Sequence, residues 1–307
     1  MITASDITKT YPAGKNGRIT ALSGISLDIR KGELFGLIGP DGAGKTSLFR
    51  ILTTLLLPDK GMASVAGYDV RTQYRQIRRE VGYMPGRFSL YQDLSVEENL
   101  TFFATVFHTT IQENYHLIRD IYEQIEPFKD RKAGKLSGGM KQKLALCCAL
   151  IHKPAVLFLD EPTTGVDPVS RKEFWDMLDR LKEQDITILV STPYMDEAVR
   201  CDRVALMYSG NILTVDTPAG IRGQFPFYLW KVQARDMYRL LGDLREYPGV
   251  ISCYAFGDAH HLTVKDRAFD SRAIDTWLLA KGHTDIRISP IDPSIEDCFM
   301  QLGKSSV

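Results

Sequence analysis

Apolar and polar positions alternate at Ile25, Leu27 and Ile29, which predicts a strand buried on one face only. Residues 1–30 as a whole read as antiparallel strands, with a turn-rich loop over 11–17. Two later runs, 34–38 and 156–159, are apolar without alternation, the second reading as a strand buried on both faces, and 186–190 reads as another buried strand. Short strands are predicted at 63–66 and 81–84, the second running into Pro85-Gly86-Arg87, and a hairpin at 203–215 turns on Ser209-Gly210-Asn211. Helical patterns cover 47–52, 74–80, 113–128 and 137–150. Ser95-Val96-Glu97-Glu98 is a capping box that opens a helix running to about Phe107, and Asp167 with Pro168 caps another. Beyond about 224 the chain changes to short alternating strands and helices, at 227–232, 236–244, 250–256, 262–265, 269–279 and 286–289. A helix over 293–302 closes it. The fold class expected is α/β, with a large domain over 1–222 and a small C-terminal α+β domain over 223–307.

Composition adds mostly exclusions. The 307 residues carry 38 basic and 38 acidic side chains, so charge gives no case for nucleic acid or for adsorption to anionic lipid. No apolar run approaches the ~18 residues of a membrane span. The first residues, Met1-Ile2-Thr3-Ala4-Ser5-Asp6, lack the parts of a secretory signal, so a membrane role is expected to come through a partner. Five cysteines in no C-x-x-C pair read as buried thiols, and the neighbours His260 and His261 would point to opposite faces of a strand, which disfavours a metal pair.

Chemistry concentrates in two places. Gly39-Pro40-Asp41-Gly42-Ala43-Gly44-Lys45-Thr46 fits G-x-x-x-x-G-K-[ST] between a strand and a helix, the context in which backbone N–H groups and a helix N-terminus cradle phosphate. Lys45 would reach the β- and γ-phosphates of a nucleoside triphosphate and Thr46 would bind Mg²⁺. Asp160 and Glu161 end the run at 156–159, at the strand end where such sheets bind ligands. Asp160 would hold the same Mg²⁺, and Glu161 would polarise the attacking water. Ser137-Gly138-Gly139 opens a further helix with free N–H groups suited to another phosphate.

The phosphate loop, Leu136-Ser137-Gly138-Gly139-Met140, the acidic strand end and Gly165-Val166-Asp167 follow the order and spacing of ATP-binding cassette (ABC) ATPases. Residues 1–220 resemble that family. The ending Asp292-Pro293-Ser294-Ile295-Glu296-Asp297-Cys298-Phe299 is similar to the tail of ATPase subunits of ABC-2 type drug and polymer exporters. The resemblance implies a P-loop cassette with a mixed sheet core, an antiparallel β subdomain and a helical signature subdomain. It also implies a sandwich dimer with ATP between Gly39, Asp41, Gly42, Ala43, Gly44, Lys45, Thr46 and Ser47 of one subunit and the signature of the other. Leu136, Ser137, Gly138, Gly139 and Gln142 would supply that signature in trans. Tyr11 would stack on adenine, and Asp167 would lie in the loop that crosses the interface. Partners implied are a transmembrane permease, contacted near Phe88, Leu90 and Tyr91, and a second ATPase subunit. The location implied is the cytoplasmic face of the cell membrane.

Two departures stand out. Gly86 stands where the family has a glutamine, and Pro193 where it has a histidine that contacts the γ-phosphate. Proline has no side-chain donor. The resemblance implies the ATP-binding and hydrolysing subunit of an exporter, whose ATP-driven dimerisation moves a separate permease. The two departures predict ATP binding with slow hydrolysis at this chain's own loop, as the weak half of an asymmetric heterodimer or in a homodimer with two weak sites; the alternative is a largely non-hydrolysing regulatory half. A nucleic-acid or ribosome-linked ATPase would need a long coiled-coil insertion between Lys45 and Ser137, or two cassettes joined by a basic linker. The sequence has neither.

Overall fold

The computed structural model describes residues 1–14, 17–265 and 269–304. The described residues fold as two units, one of Met1–Ala219 with 302–304, and a second of Gly220–Gln301. The expected boundary at 222/223 falls inside a short helix, Pro218–Gly223.

The first unit is built on a six-stranded mixed sheet in the order Asn211–Asp216, Arg203–Tyr208, Leu34–Ile38, Thr187–Thr192, Val156–Asp160, Val81–Met84. Only the first pair is antiparallel. Every residue of Leu34–Ile38, Val156–Asp160 and Thr187–Thr192 is buried, which explains why these runs show no alternation. Their registers pair Ile38 with Thr192 and Asp160 with Ser191, so the loops that leave these strands emerge at one edge.

A second, antiparallel sheet pairs Ile2–Ala13 with Gly17–Ile29 and Lys60–Val65. Tyr11 is itself in the ladder, opposite Ile19, so most of the loop expected over 11–17 is strand; its Lys15 and Asn16 lie outside the described residues. Ile7, Leu22 and Ile25 from this sheet share one core with Phe49, Phe158 and Leu189, where Phe49 and Phe158 meet edge to face at 5.7 Å.

Helices Val96–Val106, Tyr115–Tyr122 and Gly138–Leu150 form a helical region. The Ser95 box is complete: Glu98 N–H donates to Ser95 Oγ (3.2 Å) and Ser95 N–H to Glu98 Oε2 (2.7 Å). The helix expected over 113–128 stops at Tyr122 and resumes as a single 3₁₀ turn, Glu126–Phe128. Pro127 has no N–H for the ladder and disfavours helical geometry at the residue before it.

The second unit runs β-α-β-β-α-β. Strands Val250–Phe256, Ala259–Val264, Tyr228–Gln233 and Arg287–Ile291 lie side by side in that order, the ferredoxin-like arrangement. Helices Met237–Glu246 and Ser271–Ala280 pack Leu240, Leu244, Ile274 and Leu278 against Val232, Cys253 and Leu262. His260 and His261 alternate as a strand requires: His260 Nε2 meets the Met237 carbonyl (2.7 Å), and His261 Nδ1 meets Asp297 Oδ1 (2.8 Å).

Candidate active site

The phosphate loop leaves Leu34–Ile38 at Gly39, whose N–H donates to the Thr192 carbonyl (3.2 Å). A Cβ at Gly39 would stand 2.2 Å from the Met207 carbonyl oxygen. At Gly44 φ is +104°, and a Cβ would stand 2.4 Å from the Ala21 carbonyl oxygen, so both positions require glycine. Gly44 opens the helix Lys45–Leu52, whose first N–H groups have no intrahelical acceptor and face the loop. Asp41 and Gly42 are exposed at the crest, and Ala43 is buried with its carbonyl accepting from Gly210 N–H (3.1 Å).

Lys45 is 3% exposed, and its Nζ donates to the carbonyls of Gly39 (2.8 Å) and Pro40 (3.1 Å). The same Nζ lies 3.1 Å from Glu161 Oε1. One residue on, Thr46 Oγ1 donates to Asp160 Oδ1 (3.2 Å). Asp160 is 3% exposed, and its other partner is a second hydroxyl, Ser191 Oγ, which donates at 2.6 Å. Among the described residues no base comes within 4.0 Å of this carboxylate. A buried carboxylate ringed by hydroxyl oxygens and lacking a basic partner suits a hard, oxygen-seeking cation such as Mg²⁺. Its charge, after burial, also holds the Tyr83 hydroxyl up at about 12.

Glu161 has φ +52°, a left-handed conformation uncommon for a residue with a Cβ. Its N–H donates to both the carbonyl and the hydroxyl of Ser191, each at 3.0 Å. Tyr11 lies beside the same loop, its hydroxyl 3.2 Å from Ser47 Oγ.

The signature residues lie elsewhere. Ser137 caps Gly138–Leu150 by accepting from Met140 N–H (3.3 Å), with Leu136 buried beneath it. A Cβ on Gly138 would lie 3.9 Å from the Gly165 carbonyl, and one on Gly139 would lie 3.0 Å from Ser170 Oγ. Gln142 lines, with Gly139, a narrow crevice against Pro162, Thr163 and Val166. Asp167 accepts from Val169 N–H (3.1 Å) and Ser170 N–H (3.0 Å) at the start of the helix Pro168–Lys182, and those bonds lower its carboxyl below the ordinary range. The expected docking residues divide: Leu90 is buried and Phe88 half-buried, whereas Tyr91 is 50% exposed and meets Phe102 edge to face at 4.8 Å.

Of the two departures from the family pattern, Gly86 sits at the acids and Pro193 follows the strand paired with theirs. A Cβ on Gly86 would stand 3.0 Å from the Asp160 carbonyl oxygen and 3.8 Å from Glu161 Cβ. Pro193 follows Thr192, whose hydroxyl accepts from Tyr194 N–H (3.0 Å).

Sequence reasoning missed Ser191 as a site residue, and it missed a buried link behind the site. Thr163 Oγ1 donates to Glu197 Oε1 (2.8 Å), and Arg171 Nε lies 3.5 Å from the same oxygen. Glu197 is 3% exposed, and the link ties the segment after Glu161 to the segment after Pro193. The two hydroxyls that end the strand Thr187–Thr192, Ser191 and Thr192, were the available signal, but which of them is in register with Asp160 was not readable.

A protein-family model described as ABC transporter matches residues 22–164. The chain is 38% identical over 306 residues to the probable multidrug ABC transporter ATP-binding protein YbhF of Escherichia coli, covering 98% of this chain and 52% of that protein. It thus spans about half the length of that relative. Nod factor export ATP-binding protein I of Burkholderia lata is 34% identical over 288 residues, covering 92% of this chain and 91% of that protein. Among solved structures, the dimeric ATP-binding cassette MJ0796 in a post-hydrolysis state with ADP and Pi superposes with a TM-score of 0.64 at 25% identity, over 71% of this chain and 98% of that one.

Proposed function

The chain belongs to the ABC transporter family, and from that premise we propose that it is the ATP-hydrolysing subunit of an exporter, driving a separate membrane permease through ATP-dependent dimerisation. One observation carries the reading. Lys45 and Thr46 meet Glu161 and Asp160, more than a hundred positions away, through contacts of 3.1 and 3.2 Å.

In this reading the triphosphate lies along Gly39 to Ser47, with Tyr11 stacked on adenine. Lys45 gives up Glu161 for phosphate oxygens, which frees the carboxylate to take a proton from the attacking water. Mg²⁺, held by Thr46 and Asp160, would neutralise charge on the β- and γ-phosphates. Ser137, Gly138 and Gly139, with Leu136 and Gln142, complete the site of a second ATPase subunit, and Asp167 lies in the loop between the two. Gly138 lies beside Gly165 of that loop and Gly139 beside Ser170 of the helix it leads into, so signature and loop would face the second subunit together.

Export is supported by the names of the multidrug and Nod factor relatives. The permease would anchor the chain at the cytoplasmic face of the cell membrane; among the described residues no helix is long and apolar enough to cross one. A cavity of about 350 Å³ beside the Gly86 loop, lined by Met84, Leu90, Phe103 and Phe107, supports docking of an apolar partner segment there.

A second reading, a regulatory half that binds ATP and scarcely hydrolyses it, is favoured by Gly86 and Pro193. Each replaces a donor beside the reacting atoms, and such losses cost ~10²–10³ in rate. Nucleotide binding and ATP turnover by the purified chain, with Glu161→Gln as control, separate the two. Tight binding with little turnover supports an asymmetric pair. Turnover of about ten or more per minute, abolished by Glu161→Gln, supports a homodimer. Failure to bind ATP overturns both.

A further inference from the structure

We infer that Ser191 is a positioning residue for this chemistry, its hydroxyl fixing Asp160 and Glu161 relative to each other. The inference rests on the nucleotide-site reading above. Ser191 ends the strand Thr187–Thr192, between the strand that carries the phosphate loop and the strand that carries the acids, in register with both Leu37 and Asp160. It is fully buried.

A buried serine hydroxyl often does no more than satisfy a nearby backbone group. Here that task is already met. The Glu161 N–H has the Ser191 carbonyl as an acceptor at 3.0 Å, so the hydroxyl is a second acceptor for it. The hydroxyl proton goes to Asp160 Oδ1 at 2.6 Å, the length of a hydrogen bond onto an ionised group. The chain Glu161 N–H, Ser191 O–H, Asp160 Oδ1 thus runs in one donor direction, from the backbone of the proposed base to the carboxylate proposed to hold the cation. It also braces Glu161 in its left-handed conformation, which aims the side chain at Lys45. Partners of this kind orient metal-binding carboxylates, and their loss typically costs ~10–100-fold in metal affinity or activity.

The experiment compares Ser191→Ala, Ser191→Thr and Ser191→Val in the full chain. Thr keeps the hydroxyl and Val keeps the same shape without it. Electron paramagnetic resonance of Mn²⁺ with a non-hydrolysable ATP analogue reads metal retention, and titration of the analogue in EDTA reads metal-free nucleotide affinity. Ala and Val should weaken Mn²⁺ retention by about tenfold, Thr should stay within about threefold of the parent, and metal-free affinity should be unchanged in all three. Equal Mn²⁺ retention in Val and Thr would overturn the inference, as would a matching loss of metal-free affinity, which marks damage to the fold alone. A parent chain that binds no nucleotide in EDTA would overturn the nucleotide-site reading itself.

Discussion

The ion pair between Lys45 and Glu161 makes nucleotide affinity depend on a residue proposed to act only in hydrolysis. A triphosphate that recruits Lys45 competes with a carboxylate 3.1 Å from its Nζ. At that distance and an effective dielectric of 20 the gross attraction is about 5 kcal/mol. Glu161 is 23% exposed, and the pair also repays desolvation, so its net worth is about 1–2 kcal/mol. Glu161→Gln should therefore tighten ATP binding by about 5- to 30-fold. Isothermal titration in EDTA measures this with turnover suppressed. Relief of repulsion between Glu161 and the phosphates has the same sign, so the comparison needs a Lys45→Met background, in which the same change should gain markedly less. An equal gain in both backgrounds, or none in the parent, would refute the competition.

Restoring the missing donors with Gly86→Gln and Pro193→His together should raise steady-state ATP turnover at least about tenfold; unchanged turnover would mean that other steps limit the rate. His152, stacked on Phe107 at 3.7 Å, is pushed down to about 4 by burial. The unfolded chain therefore binds the proton first, and stability falls as pH drops below about 6.5 toward 4, with about 2 kcal/mol lost between pH 7.5 and 5. Urea melts at the two pH values should show that loss, and His152→Phe should remove most of it. Ser95→Ala breaks the capping box and should lower stability by about 1 kcal/mol in the same melts without changing ATP affinity.

Much of this was legible locally. The phosphate loop, the apolar run ending in Asp160-Glu161 and the Ser95 box each carry their geometry within a few residues, so spacing sufficed. The expected helix over 113–128 failed for a local reason as well, since Pro127 was in view. What escaped reading depends on register between distant strands. Whether Ser191 or Thr192 would face Asp160 is decided by one residue of slip. The Thr163–Glu197 contact spans 34 positions, and the Lys45–Glu161 pair depends on the positive φ at Glu161, which no pattern of apolar positions encodes.

The position of Leu34–Ile38 within its sheet also has a consequence during synthesis. Both its neighbours, Thr187–Thr192 and Arg203–Tyr208, come from the far end of the first unit. A nascent chain therefore carries its phosphate loop on an unpaired apolar strand until Thr192 has left the ribosome, roughly 10–30 s of elongation after Ile38, and on a strand with one open edge until Tyr208 follows. Until then nucleotide has no formed cradle to stabilise, and the exposed strand is a target for chaperones or for pairing with another nascent copy. A translational pause before residue 187 would lengthen that exposure, and one after 208 would not.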